Sequence, residues 1–208
     1  MKINLPERGI KHVFLAFVVA LISGCVTSPP TKVDNICHIF DEKDGWYDDA
    51  KKAEKKWGSP IPILMAFMHQ ESRFQPKAKP PRTKILWVIP GPRQSSAYGF
   101  SQAKDETWDW YKKEAGSWGA DRDEFEDAVD FIGWYNHTSK KRSKIALNNP
   151  YHLYLAYHEG HGGYNRGTYK NKAWLQKVAK KVSSRAAIYK RQLASCEKRL
   201  QSGGWWFF

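Results

Sequence analysis

The stretch Ile61 to Pro76, IPILMAFMHQESRFQP, constrains the fold more than any other part of the chain, because an apolar run of helical length leads straight into a carboxylate. On a helix, Leu64, Phe67, Met68 and Glu71 share one face. Whatever buries that face must bring an acid to the edge of the core. Ser59 is placed to cap the helix with Pro60 at its first position, and Pro76 closes the other end, which leaves Glu71 in the last turn. Apolar neighbours and the negative end of the helix dipole both disfavour the ionised form, so the pKa of Glu71 is expected to rise. An acid kept protonated near neutral pH can donate its proton. His69 and Arg73 would act in the opposite sense, and a solvated glutamate just beyond a core helix is the competing reading.

The remaining patterns are mostly helical. Tyr47 to Trp57 places Trp46, Ala50, Ala53 and Trp57 on one face, and Lys104 to Glu114 pairs Trp108 with Tyr111. Asp123 is placed to cap a helix bearing Phe125, Ala128, Ile132 and Tyr135. Asn149-Pro150 opens another helix with Leu153, Ala156 and Tyr157 inward, before Gly160, Gly162 and Gly163 break it. From Asn171 to Leu200 a stripe of Leu175, Val178, Val182, Tyr189, Leu193, Cys196 and Leu200 forms the longest helix. Between Lys77 and Ala97, Pro80, Pro81, Pro90 and Pro92 surround the β-prone island Ile85 to Ile89, which reads as a long loop or a small hairpin. It forms either one wall of a cleft or a surface insertion. The expectation is a mainly α domain over residues 46–202 with a small irregular or β-hairpin insertion, preceded by a tether and the start of the fold at 25–45.

Residues 1–24 have the shape of a secretory signal, with Lys2, Arg8 and Lys11 ahead of the apolar run Val13 to Ile22. Ser23-Gly24-Cys25 resembles a bacterial lipobox, which would leave Cys25 as a lipidated N-terminus anchored in a membrane. The apolar run is too short to cross a bilayer as a helix. Val26 after that cysteine resembles lipoproteins sorted to an outer membrane and facing the periplasm. The full chain carries a formal charge of +13, and a strong positive balance remains without the leader. For an exported chain this points to anionic envelope material rather than nucleic acid, and no basic-aromatic nucleic-acid module stands out. With Cys25 lipidated, Cys37 and Cys196 remain as a candidate disulfide in an oxidising compartment, against the alternative of two buried thiols. The segment 203–208, GGWWFF, is an aromatic tail that either packs on the domain or meets a membrane interface.

Three segments stand together in order: Glu71-Ser72-Arg73-Phe74, Ala97-Tyr98-Gly99-Phe100-Ser101-Gln102, and Ala156-Tyr157-His158-Glu159-Gly160. They resemble the soluble lytic transglycosylase (SLT) domain, with its Glu-Ser pair, Gly-Leu-Met-Gln turn and Ala-Tyr-Asn-x-Gly helix end. The resemblance covers about residues 55–170. It implies a lysozyme-like, goose-type helical domain that cleaves the MurNAc-GlcNAc bond of peptidoglycan with formation of 1,6-anhydromuramoyl ends. Glu71 would be the single catalytic acid. Ser72, Gly99, Gln102 and Tyr157, with Tyr98 and His158 beside them, would line the sugar groove. Gly99 would let the backbone approach the sugar, and Tyr157 would orient Glu71 or contact the ring. Phe100 and Ser101 replace the Leu-Met of the turn, and His158 stands where the family has Asn. No cofactor is implied, and the chain is expected to act as a monomer on glycan strands.

Other readings remain open. Asp105, Glu106 or Glu159 could face Glu71 as the second carboxylate of a lysozyme-type hydrolase. A lipoprotein that binds glycan in the same groove without cleaving it is another. His158 and His161 are three apart with glycine between, which departs from the His-Glu-x-x-His zinc spacing, so no metal site is assigned.

Overall fold

In the computed structural model, residues 28–85, 89–115 and 117–202 are described. The leader, Cys25, the tail 203–208 and the centre of the apolar island, Leu86 to Val88, lie outside them. The chain opens with an element the sequence patterns did not single out, α1 (Ile36–Glu42), capped by Asn35, whose Oδ1 accepts from the amides of Cys37 and His38. Glycines at φ 79° and 75° bracket α2 (Trp46–Trp57), a conformation that favours residues without a Cβ. Then come α3 (Ile61–Ser72) and a two-stranded antiparallel hairpin of β1 (Arg82–Ile85) and β2 (Ile89–Arg93), with Arg82 opposite Arg93. The proline-rich segment is therefore a hairpin. The helices α4 (Asp105–Ala115), α5 (Phe125–Ser143), α6 (Pro150–Asn165) and α7 (Ala173–Gln201) follow, with a 3₁₀ turn at Thr168–Asn171. This is the mainly helical, lysozyme-like architecture expected. No helix of the described residues is long and apolar enough to cross a membrane.

Helix α3 differs from its expected form. Every residue from Ile61 to Met68 is buried, so the helix has no solvent face over that span and runs through the core, packed on α7, α5 and α2. Its start also differs: Pro60 is the N-cap and Pro62 lies in the first turn, while the Ser59 hydroxyl accepts a hydrogen bond from Asn136 Nδ2 at 2.9 Å. A cap competes with a buried amide here, and the buried amide wins because an unpaired one costs about 1–3 kcal/mol. The end is set before Pro76 is reached. Arg73 at φ 51° and Phe74 at φ 61° turn the chain in the left-handed region, and Phe74 is fully buried beside Trp46 and His69. Burying a phenylalanine ring is worth about 1.5–3 kcal/mol, enough to offset the strain of that backbone. At α5, Glu124 takes the N-cap position, while Asp123 accepts from the Tyr98 hydroxyl at 3.1 Å.

The α7 stripe is buried at Leu175, Val182, Tyr189, Leu193 and Cys196, with Ala179 and Ala186 filling the turns between, whereas Val178 and Leu200 sit half-buried at its margin. Cys196 forms a disulfide with Cys37, with 6.1 Å between the Cα atoms. A cross-link that closes a loop of this size restricts the unfolded chain by about 5 kcal/mol in the chain-entropy picture. The same seam carries Ile36 N to Gln192 Oε1 at 3.1 Å and an Arg199–Asp41 ion pair at 2.7 Å.

Candidate active site

Glu71, in the last turn of α3, lines a cleft of about 350 Å³. The opposite wall is the start of α4 with Gln102 before it, and the end of the cleft is the segment Tyr157 to Gly160 of α6. The half-buried Glu71 carboxyl sits among aromatic rings, and desolvation pushes its pKa up to about 7. One group opposes this: Tyr154, buried on α6, donates a hydrogen bond to the carboxylate and favours its ionised form. The residues expected to oppose it do not reach. His69 lies against Asp34 at 3.4 Å and beside Tyr189, on the side of α3 that meets α7.

Tyr154 was not among the candidate residues. Its signal was present, since it precedes Tyr157 by three positions and so shares its helix face. Tyr157 has another task. Its hydroxyl donates to the carbonyl of Ser101 at 2.6 Å, and its ring packs edge-on against Phe67 and Tyr135. Burial, with Glu71 next in importance, holds its pKa well above the ordinary phenol value, so it stays a neutral donor. Tyr157 thus ties α6 to the turn at 99–102 while lining the cleft beside Glu71.

That turn is built by the protein for itself. Gly99 has φ +77°, and a Cβ there would lie 2.0 Å from the carbonyl oxygen of Arg122. The backbone that approaches Gly99 is that of Arg122, whose oxygen also accepts from Phe100 N at 3.0 Å. Phe100 is fully buried between Trp46 and Phe125. Gln102, at φ 51°, lines the cleft and donates through Nε2 to the carbonyls of Ala78 and Gly99, both at 2.9 Å, which leaves Oε1 as its acceptor. Ser101 stands fully buried with its hydroxyl unpaired among the described residues. Ser72 is also buried, donating to Met68 O within its own helix, and does not line the cleft. Tyr98 lines a separate, neighbouring cavity with Lys79, Arg93 and Arg122.

A second carboxylate lines the same cleft. Glu159 has a side chain only 3% exposed, and Lys172 Nζ lies 2.8 Å and 3.0 Å from its two oxygens. Thr168 donates its hydroxyl to Oε2, and His158 Nδ1 lies 3.2 Å from Oε1. Burial alone would raise this pKa, but the hydrogen bonds from Lys172, Thr168 and His158 outweigh it and bring it down to about 2. The site can hold this anion because Gly160, at φ 71° and ψ 157°, kinks α6 and lets the chain return as the 3₁₀ turn that carries Thr168. Exposed His158 also meets the edge of the exposed Trp174 ring, 5.0 Å between centroids, at the rim of the cleft. Two of the three partners of Glu159, Thr168 and Lys172, come from beyond the glycine-rich break, where no spacing rule links them to it.

Asp105 turns away from the cleft and pairs with Arg122 at 2.8 Å, whereas the exposed Glu106 lines it. His161 is buried on the far side of the kink, 3.0 Å from Ser139 Oγ and stacked on Tyr135, so it and His158 face different partners. Among the described residues no group of three or more His, Cys, Asp or Glu is placed to hold a metal ion.

No curated protein matches the chain. A family model described as the transglycosylase SLT domain matches residues 13–196, which takes in, among the described residues, all seven helices wholly or in large part, the hairpin, the cleft and the disulfide. On this match over most of its length, the chain belongs to the transglycosylase SLT family.

Proposed function

We propose that this protein cleaves the β-1,4 bond between N-acetylmuramic acid and N-acetylglucosamine in peptidoglycan, leaving a 1,6-anhydromuramoyl end, with Glu71 as acid and then base. The observation that carries the reading is the contrast inside the cleft: Glu71 is desolvated to a pKa of about 7, while Glu159 is held ionised by three donors. Protonated Glu71 gives its proton to the glycosidic oxygen as the muramic acid C1–O bond breaks, and the glucosamine leaves with a free 4-hydroxyl. The Glu71 carboxylate then takes the proton of the muramic acid 6-hydroxyl as that oxygen bonds to C1. The acid is regenerated and no water is consumed. Gln102 Oε1 and the rim formed by His158 would hold sugar hydroxyls, and Tyr154 would stabilise Glu71 in the interval when it is ionised.

Glu106 supports a second reading, a lysozyme-type hydrolase in which an exposed carboxylate across the cleft activates water. Digestion of purified sacculi with mass analysis separates the two, since anhydro ends weigh one water less than reducing ends. Anhydro products lost in Glu71→Gln and retained in Glu106→Gln are expected; reducing ends would overturn the transglycosylase assignment. Glycan binding without turnover by the unaltered protein would favour a non-catalytic glycan-binding role.

The same proposal includes export and attachment to the outer membrane through lipid on Cys25, acting from there as a monomer on periplasmic glycan. Palmitate labelling that disappears in Cys25→Ala is the expected result.

A further inference from the structure

Beside the Glu71 cleft, across the start of α4, lies a second cavity of about 340 Å³ that the chemistry above does not use. The two are close: Tyr98 lines the second cavity and pairs with Ala103, which lines the first, through Tyr98 N to Ala103 O at 3.3 Å. Its polar character is one-sided. Lys79, Arg93 and Arg122 converge there against a single carboxylate, Asp105. Lys79 Nζ lies 5.1 Å and the Arg122 guanidinium 5.4 Å from the centroid of the Tyr98 ring. Arg122 is engaged by Asp105 and by the carbonyls of Ser96 and Ala103, and Arg93 donates to Pro80 O. Lys79 has no carboxylate partner among the described residues, and Ser95 and Ser96 retain hydroxyl protons, since each oxygen accepts from an amide. Like charges gathered around one ring repel, and an anion placed among them relieves that repulsion.

We propose that this cavity binds a carboxylate of the peptide stem borne by the glycan strand in the Glu71 cleft, so that stem-bearing glycan is preferred over naked glycan. The proposal rests on the peptidoglycan reading above. A stem leaves the strand from the muramic acid, the residue whose bond to its neighbour is cut, and extends sideways from it. A cation cluster next to the cleft, rather than along it, matches that branch. Lys79 and Arg93 supply charge from the segment leading into the hairpin and from β2, while Arg122, fixed by three partners, supplies the rigid wall.

The test is binding by Glu71→Gln protein, read by calorimetry with purified disaccharide-peptide and with the same disaccharide after the stem is removed by an amidase. The stem-bearing ligand is expected to bind about five- to tenfold tighter, the difference shrinking at high salt. Adding Lys79→Ala with Arg93→Ala should erase that preference while leaving affinity for the naked disaccharide unchanged, and Lys79→Arg with Arg93→Lys should keep it. Equal affinity for the two ligands, or a preference that survives in the double alanine variant, would overturn the proposal. Failure of the catalytic reading shows separately, as absence of anhydro products from the unaltered protein, because the stem preference is read from binding alone.

Discussion

Glu71 and Glu159 line one cleft and have been given opposite environments. Glu71 ends a helix buried over most of its length and has aromatic rings around it with a single phenol donor, so it is driven toward its neutral form. Glu159 sits at a glycine kink where a lysine, a threonine and a histidine reach it, so it is held as an anion although its side chain is only 3% exposed. Desolvation decides at Glu71, which has one donor, and is outweighed by three donors at Glu159. Two carboxylates whose pKa values are pushed apart by their surroundings can be assigned different tasks, one moving a proton and the other fixing the wall.

The widest gap is expected in turnover. Glu71→Gln should lower sacculus digestion about 10³-fold without loss of thermal stability at neutral pH, whereas Glu159→Gln should cost about tenfold in activity together with up to about 1 kcal/mol of stability, since the half-exposed Lys172 loses its charge partner. Equal losses of activity with no change in melting temperature would break the contrast and make Glu159 a second catalytic carboxylate.

Stability against pH sharpens it. The folded pKa of Glu71 is raised to about 7 from 4.5, so its contribution is fully present below pH 4.5 and lost as pH rises through 7. At pH 8 Glu71→Gln should therefore be more stable than the unaltered protein by about 2 kcal/mol, allowing for partial exposure of the carboxyl, and no more stable at pH 4. For Glu159 the sign reverses: its contribution is present above pH 4.5 and lost as pH falls toward 2. Urea titrations of both glutamine variants at these pH values read the difference directly.

Tyr154→Phe removes the donor that favours ionised Glu71. Activity that requires the protonated acid falls above about pH 7, and in this variant the falling limb should move to higher pH; an unmoved limb would show that the phenol does not act on the carboxyl. The smallest change is expected at Ser101, whose buried hydroxyl has no partner among the described residues. Ser101→Ala should be neutral or raise stability by up to about 1 kcal/mol, with turnover unchanged.

Much of this site could be read from the sequence because its signals are local. The acid at the end of the apolar run, the Asn149-Pro150 start of α6 and the glycine break after Glu159 each depend on neighbours within one or two turns. What escaped is pairwise and distant. Gly99 is required by the carbonyl of Arg122, and Glu159 is clamped by residues beyond the break, relations that no periodicity encodes. The cap of α3 was misplaced for the same reason, since Asn136, far along the chain, claims Ser59. The single amphipathic face expected of α3 failed because a helix packed on three others has no side left for water.

The seam between α1 and α7 bears on timing. A chain synthesised as far as Asn165 would hold Glu71, Gln102, Tyr154 and Tyr157 but neither the lysine that clamps Glu159 nor the helix on which α3 and α6 rest. Contacts of such long sequence separation form late and slowly. The cleft is thereby complete only once most of the chain is available, and the Cys37–Cys196 bond then joins the first and last of the described helices.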